Sequence, residues 1–330
     1  MAGHAHSHSH ADGGHAGHTH GVSADADVRK LAVALGLIVS FMCFEVVLGL
    51  VAESLALLSD AAHMLTDAAA LGLSIVAIRL AARPAKGVMT YGLKRVEILS
   101  AQANGVSLLV LALLIGFEGV RRLIDPPDVR GKLVLIVALI GIVVNLVATY
   151  TLAKANRESL NVEGSFQHML TDLYAFIATA IAGGVILWTG FQRADAIASL
   201  LVAALMLHAS YGLLRASGRI FLEASPLGLD PDQIGRMLVS QPNVREVHDL
   251  HVWEISSGFP ALTAHVLVAA DTDCHGTRAL LAEKLAEQFE ISHTTLQVDH
   301  EHVDAPLRIQ TAGSVVPPRP EELPAGSSPE

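Results

Sequence analysis

Six apolar runs, at approximately 31–52, 55–80, 96–119, 131–153, 165–190 and 194–216, dominate the first two thirds of the chain. Each has about the 20 residues that a helix needs to cross the hydrocarbon core of a bilayer. Residues 29–217 are therefore predicted to form six transmembrane helices. After Arg219 the pattern changes to that of a soluble domain, residues 218–303. Asp230 to Gln241 reads as a helix with Pro231 in its first turn. Val244 to Ile255 and Ala261 to Ala269 read as strands separated by the turn Ser256-Ser257-Gly258. His275 to Phe289 is an amphipathic helix, and Thr294 to Val303 is a third strand. The prediction is an α-helical membrane protein carrying a small α+β domain of order α-β-β-α-β. A domain of roughly 80 residues lies near the lower size at which a core supports itself, which favours dimerisation. Residues 1–28, rich in Gly, Ala, Ser and His, and residues 304–330, rich in Pro, read as disordered tails.

Composition agrees with that division. The 330 residues are 52% hydrophobic and only 16% charged, with mean hydropathy +0.47, the profile of a multi-span membrane protein with a modest soluble part. A formal net charge of −10 argues against nucleic acid as a partner. Cys43 and Cys274 are too few and too far apart for a disulfide framework or a thiolate metal site. The polar N-terminus and the long first apolar run do not resemble a signal peptide. An even number of spans puts both termini on one side. With that side cytoplasmic, the inner segments hold eleven Lys and Arg residues (Arg29, Lys30, Arg79, Arg83, Lys86, Lys94, Arg95, Lys154, Arg157, Arg215, Arg219) and the outer segments five. The excess predicts cytoplasmic termini. The Ala/Leu-rich composition and compact loops point to a bacterial inner membrane.

Candidate chemistry enters with a repeat. His63-Met64-Leu65-Thr66-Asp67 recurs as His168-Met169-Leu170-Thr171-Asp172, each copy inside an apolar run. Residues i and i+4 stack one turn apart on a helix, so each His shares a face with its Asp. Ionisable groups at membrane depth are expensive and mark an ion or proton path. Two imidazoles and two carboxylates make a four-coordinate set suited to Zn2+; the bland alternative is a chance repeat or a pair of polar packing contacts. Helices 2 and 5 run in opposite senses. His63 and Asp67 fall roughly 12–18 Å from the outer end of helix 2. His168 and Asp172 fall roughly 5–11 Å from the inner end of helix 5 if it starts near Ser165, and deeper if it starts earlier. Helices 1–3 and 4–6 then relate as an inverted repeat, an architecture common among transporters with midplane sites.

Other polar residues divide. Asp60, nearly on the face of His63, is either a supporting partner or proton relay, or a helix residue near the outer surface. Glu45, Gln102, Asn104 and Asn145 read as hydrogen-bonding groups between helices, and His208 as a packing or cavity-lining residue. His4, His6, His8, His10, His15, His18 and His20 lie on the N-terminal tail. They read as a loose, exchangeable metal-capturing tether, or alternatively as a cloning tag.

Several of these segments together resemble the cation diffusion facilitator family. Ser54-Leu55-Ala56-Leu57-Leu58-Ser59-Asp60 through Asp67 is similar to its second-helix signature, and Tyr91-Gly92-Leu93-Lys94-Arg95-Val96-Glu97 with Asn104 to the start of its third. Leu160-Asn161-Val162 leading to His168 and Asp172 resembles the fifth helix, and Asp195 to Ser199 the sixth. His248-Asp249-Leu250-His251-Val252-Trp253 is similar to a motif of its cytoplasmic domain. The match runs from Leu31 to His302. A His-rich start with a His-Asp pair on each of two helices resembles the zinc exporters. The resemblance implies a homodimer that exchanges cytoplasmic divalent metal for protons, with His63, Asp67, His168 and Asp172 as transport ligands. It also implies a second candidate site at His248, His265 and Asp299, where Gln297 stands in place of an expected histidine, and where His251, His300 and His302 are either substitutes or surface residues.

The chemistry supports antiport on its own terms. Imidazole must be neutral and carboxylate ionised to bind metal, and two buried carboxylates without a metal tend to hold protons. Zn2+ and protons then compete for the same atoms, and alternating access turns competition into export. Rival expectations are a membrane metal sensor or scaffold without transport, and an intramembrane metallohydrolase. The latter would want an open metal position and a Glu base of the His-Glu-x-x-His kind, a motif absent from the sequence. No enzymatic activity is expected.

Overall fold

The computed structural model describes residues 24–51, 55–125 and 131–301, and of residues 24, 49, 55–60, 62, 63, 131, 133 and 134 the helical backbone alone. The tail histidines and residues 302–330 lie outside the described residues, as do the side chains of Asp60 and His63. Six long helices come first: α1 (Ala24–Val51), α2 (Leu55–Ala81), α3 (Val96–Ile124), α4 (Gly131–Ala153), α5 (Leu160–Thr189) and α6 (Arg193–Phe221). All six are long and apolar enough to span a membrane, and only 28–39% of the most apolar window in each is buried within the chain. Leu113, Phe117, Leu146, Ile181 and Leu201 are exposed on their outer faces. Apolar surface on that scale is unfavourable in water and suited to lipid, where a helix satisfies all its backbone groups internally.

Several helix ends extend past the apolar runs, α3 to Ile124 among them, and the starts of α1 and α5 do so for a local reason. α1 begins at Ala24, inside the stretch expected to be tail, because Asp25 and Asp27 occupy its first turn. Buried Asp27 also accepts from the Asn156 amide at 3.0 Å and lies 3.5 Å from Lys30 Nζ. α5 begins at Leu160, five residues before its apolar run, because Ser159 caps it by accepting from the Val162 amide. Arg157 grips Glu163 of the first turn with two contacts, at 2.6 and 3.1 Å. α6 continues to Phe221, past residue 217.

Each helix touches its counterpart three elements later, α1 with α4, α2 with α5 and most extensively α3 with α6, while α1 packs mainly on α2 and α4 on α5. That is the pairing an internal three-helix repeat produces. Leu31, Ile38, Phe41, Met64, Leu71, Leu152 and Met169 form one core among α1, α2, α4 and α5; Leu108, Ala112, Val202 and Met206 form a second between α3 and α6. Gly105 lets α3 approach α6, since a Cβ there would meet Leu214 at 2.9 Å.

The soluble domain follows as α7 (Pro231–Val239), β1 (Val244–Ser256), β2 (Phe259–Val268), α8 (Cys274–Phe289) and β3 (His293–His300), the expected order. Its sheet runs β1-β2-β3, antiparallel between β1 and β2 and parallel between β2 and β3, with α8 as the crossover. Asp230 and Asp273 cap α7 and α8. Ile234, Leu238, Leu262, Val266, Leu281 and Leu285 fill its core. The β1–β2 turn rests on the starts of α3 and α5. Ser257 Oγ accepts from the Leu160 amide at 3.1 Å, and Lys94 lies 4.9 Å above the Phe259 ring. Arg95 pairs with Glu223 at 3.4 Å beside them. The soluble domain thus sits at the end of the bundle where α2 finishes and α5 begins.

Candidate metal centre

His63 is the ninth residue of α2 and His168 the ninth of α5. The earlier start of α5 therefore gives both motifs the same depth, about 12 Å from the first residue of each helix to its His and about 18 Å to its Asp. α2 and α5 pack directly, and their motif faces meet. Asp67, His168 and Asp172 are 3%, 2% and 8% exposed. Each offers a ligand atom within 4.8 Å of the others. His168 Nε2 lies 2.7 Å from Asp67 Oδ1 and 3.8 Å from Asp172 Oδ2. Met64, Ala68 and Met169 wall the group with apolar surface. The structure thus brings together three of the four residues expected on these helices; the fourth, His63, shares its helix face with Asp67 on the described backbone.

The distances carry chemical content. A nitrogen-to-carboxylate hydrogen bond of 2.7 Å contains one proton, shared between the His168 ring and Asp67. Ligands of a tetrahedral Zn2+ stand roughly 3.3 Å apart, given metal–ligand bonds of about 2.0–2.1 Å. A metal held through these two atoms would therefore displace that proton and part the pair by about half an ångström. His168 Nδ1 is buried with no hydrogen-bond partner among the described residues.

The other intramembrane groups sort themselves. Asn104 Nδ2 donates to Ser74 Oγ of α2 at 3.2 Å, a contact between helices as expected. Asn145 Nδ2 instead donates to Gly141 O within its own helix. Glu45 is fully buried on α1. His208 is exposed on the outer face of α6, so it neither packs in the core nor lines the site.

In the soluble domain, His248 and His265 are cross-strand partners of β1 and β2 with ring centroids 5.3 Å apart. The third member of the cluster they form is Asp249, with all ligand atoms within 4.8 Å. Asp299 is not part of that cluster; it accepts from Gln297 Nε2 at 2.8 Å. Gln297 is the β3 partner of His265, so the residue beside the histidine pair is an amide that ties up the neighbouring carboxylate. Asp249 joins because the register slips between His248 and His251 and its backbone turns left-handed, φ +50°. A bulge re-aims a side chain that regular alternation would send to the opposite face. Its Oδ2 reaches 3.8 Å from His265 Nδ1. Sequence reasoning missed Asp249 because strand periodicity assigns adjacent residues to opposite faces. Asp is one of the few residue types that adopts this backbone region readily.

Two family models match the chain in order: a cation efflux transmembrane domain over residues 31–222 and a cation efflux protein cytoplasmic domain over residues 226–301. The chain belongs to the cation diffusion facilitator family. The cation efflux system protein CzcD of Alcaligenes is 36% identical over 288 residues, covering 86% of this chain and 90% of that protein. The zinc transporter ZitB of Escherichia coli is 35% identical over 284 residues, 86% and 90% of the two chains. The cadmium, cobalt and zinc/H(+)-K(+) antiporter of Bacillus subtilis is 33% identical over 299 residues, 88% and 95%. A solved structure, the metal-bound C-terminal domain of the CzcD transporter from Cupriavidus metallidurans, is 31% identical and covers 21% of this chain and 97% of its own, with TM-score 0.21. As a member of this family the chain is an integral membrane cation-efflux protein.

Proposed function

We propose that this family member exports Zn2+ from the cytoplasm in exchange for protons, with Cd2+ and Co2+ as further substrates, and that Asp67, His168, Asp172 and His63 bind the ion in transit. The observation that carries the proposal is the buried Asp67–His168–Asp172 group, whose 2.7 Å nitrogen-to-oxygen contact would open to admit a metal between the same atoms. Relatives named as zinc transporters and as a cadmium, cobalt and zinc antiporter support the substrate class.

Each residue then has a stated part. His168 Nε2 and Asp67 Oδ1 exchange their shared proton for Zn2+, and Asp172 adds a second carboxylate so that the ion's double charge is matched in a dry setting. The surrounding apolar wall excludes water. Protons arriving from the outer side reoccupy the same atoms and release the metal. Competition at one set of atoms couples the two fluxes without a separate proton route.

The excess of Lys and Arg on the inner segments supports cytoplasmic termini, and the small soluble domain supports a homodimer. A bacterial inner membrane is the setting we assign. The tail histidines and Asp60 keep the auxiliary roles of metal capture and of support or proton relay. In the soluble domain, His248, Asp249 and His265 are the residues that would hold a regulatory Zn2+. Two imidazoles and a carboxylate are a donor set Zn2+ accepts, and His248 Nδ1 is buried without a hydrogen-bond partner among the described residues. Metal there would tie β1 to β2. Zinc flux in proteoliposomes tests the proposal: it should require a proton gradient or generate one, and zinc that binds without crossing would leave a sensor instead.

A further inference from the structure

Between the metal group and the soluble-domain end of the bundle, α2, α3 and α5 share polar side chains that the transport chemistry does not use. Ser74 lies two turns beyond Asp67 on α2, and Ser165 and Asn161 lie one and two turns before His168 on α5. Ser74 Oγ is 2.8 Å from Ser165 Oγ and accepts from Asn104 Nδ2 at 3.2 Å; the Ser74 carbonyl accepts from Asn161 Nδ2 at 2.9 Å. The Ser165 hydroxyl is also 3.0 Å from the Asn161 carbonyl. All four residues are 0–2% exposed. Three helices thus converge on one serine between the metal group and the soluble-domain end of the bundle.

The network is incompletely satisfied. Asn161 Oδ1 and, one turn from Asn104 on α3, Ser100 Oγ are buried with no partner among the described residues. A cluster that served only to hold helices together would gain by pairing or deleting such groups, because unsatisfied buried acceptors are costly. Groups left wanting when the helices are together, and hydrated when they part, narrow the gap between two arrangements. That is what a closing and opening element requires.

We infer that Ser74, held by Ser165, Asn161 and Asn104, closes the metal group off from the soluble-domain side and parts from α5 when Zn2+ is admitted from that side. The inference rests on the transport reading of Asp67, His168 and Asp172. The apparent affinity for an ion offered from one side is the intrinsic affinity scaled by the fraction of molecules open to that side. Ser74→Ala removes the hydroxyl that meets Ser165 between α2 and α5, a hydrogen bond corresponding to roughly a threefold to tenfold population shift.

Full-length protein in proteoliposomes, given Zn2+ from one side at a time, tests this. For Ser74→Ala the half-saturating Zn2+ should fall about fivefold on the soluble-domain side and rise on the opposite side, with the maximal rate retained within about twofold. Ser165→Ala should move both sides in the same two senses, and the double variant should exceed neither single variant by much, because the two hydroxyls share one hydrogen bond. Shifts in the same direction on both sides, or a collapse of maximal rate in both variants, would mean a purely structural role and would overturn the closure while leaving the transport reading intact. Absence of flux in the parent protein would overturn the transport reading and the closure with it.

Discussion

Two clusters of histidine and aspartate occupy this molecule, alike in composition and opposite in construction. Asp67, His168 and Asp172 lie on two rigid helices, almost wholly buried, with a 2.7 Å contact at their centre. His248, Asp249 and His265 lie on two strands, half-exposed, with His265 Nδ1 3.8 Å from Asp249 Oδ2. Burial is the difference that matters. A buried carboxylate is costly unless its charge is matched, and in our proposal a proton and a metal take turns in matching it at the helical cluster. A half-exposed cluster is hydrated, and its charges need no such match. Under the function we propose, the first moves an ion between two media and the second senses it.

The comparison breaks first at the carboxylates. Asp67→Ala and Asp172→Ala should each lower zinc flux roughly a hundredfold or more, since each removes a ligand and a compensating charge. Insertion in the membrane should persist. Flux near the parent rate in either variant, measured in vesicles with verified protein content, would remove the site assignment.

His63→Asp should sharpen the account of selectivity. A carboxylate can give one or two oxygens where an imidazole gives one nitrogen, so the exchange permits a larger coordination shell and relatively favours Cd2+. We expect the Cd2+/Zn2+ flux ratio to rise several-fold while zinc turnover slows. An unchanged ratio in an active variant would show that His63 does not set selectivity.

The strand cluster should respond more gently. Asp249→Ala should weaken zinc binding by the soluble domain about tenfold and leave the saturated transport rate close to the parent's. Gln297→His should strengthen that binding, because it restores an imidazole beside His265 and frees Asp299 from its amide partner. Zinc titration of the full-length protein carrying Asp172→Ala isolates this cluster. Equal affinity in Asp249→Ala would exclude the bulge residue as a ligand.

Much of this was legible in the residues, and what was not has a physical cause. Helix periodicity is forgiving: an i, i+4 pair stays on one face whatever the helix bounds, so His63–Asp67 and His168–Asp172 could be paired from spacing alone. Depth could not, because the start of α5 depends on Ser159 capping a polar first turn that an apolar-run criterion discards. The closure around Ser74 follows the same logic; Asn161, Ser165 and His168 share one face, yet their partner on α2 needed the packing. Strands are less forgiving. One bulge moved Asp249 into the histidine cluster, and a hydrogen bond from Gln297 held Asp299 out, neither visible from alternation. His208 lies on the exposed face of α6, which hydropathy alone cannot distinguish from the core face.

A smaller effect tests the far end of the β1–β2 hairpin. Burial raises the Glu254 carboxyl above its ordinary value, against the opposing influence of the Gly258 amide, 3.1 Å away, and of Arg219. A carboxyl raised on folding favours the folded state at low pH and loses that contribution as pH climbs through its folded value. Glu254→Gln should therefore raise the unfolding temperature of the soluble domain slightly at neutral and alkaline pH and change little in acid, read by Trp253 fluorescence. A gain confined to acid would reverse the assignment.

The exchange of proton for metal at Asp67, His168 and Asp172 is the centre of the account. Simultaneous recording of zinc and proton flux in proteoliposomes holding the full-length protein addresses it directly. The account predicts opposed, proportional fluxes in the parent, with both lost together in Asp67→Ala. Zinc flux that proceeds without proton movement, or that survives the loss of Asp67 undiminished, would contradict it.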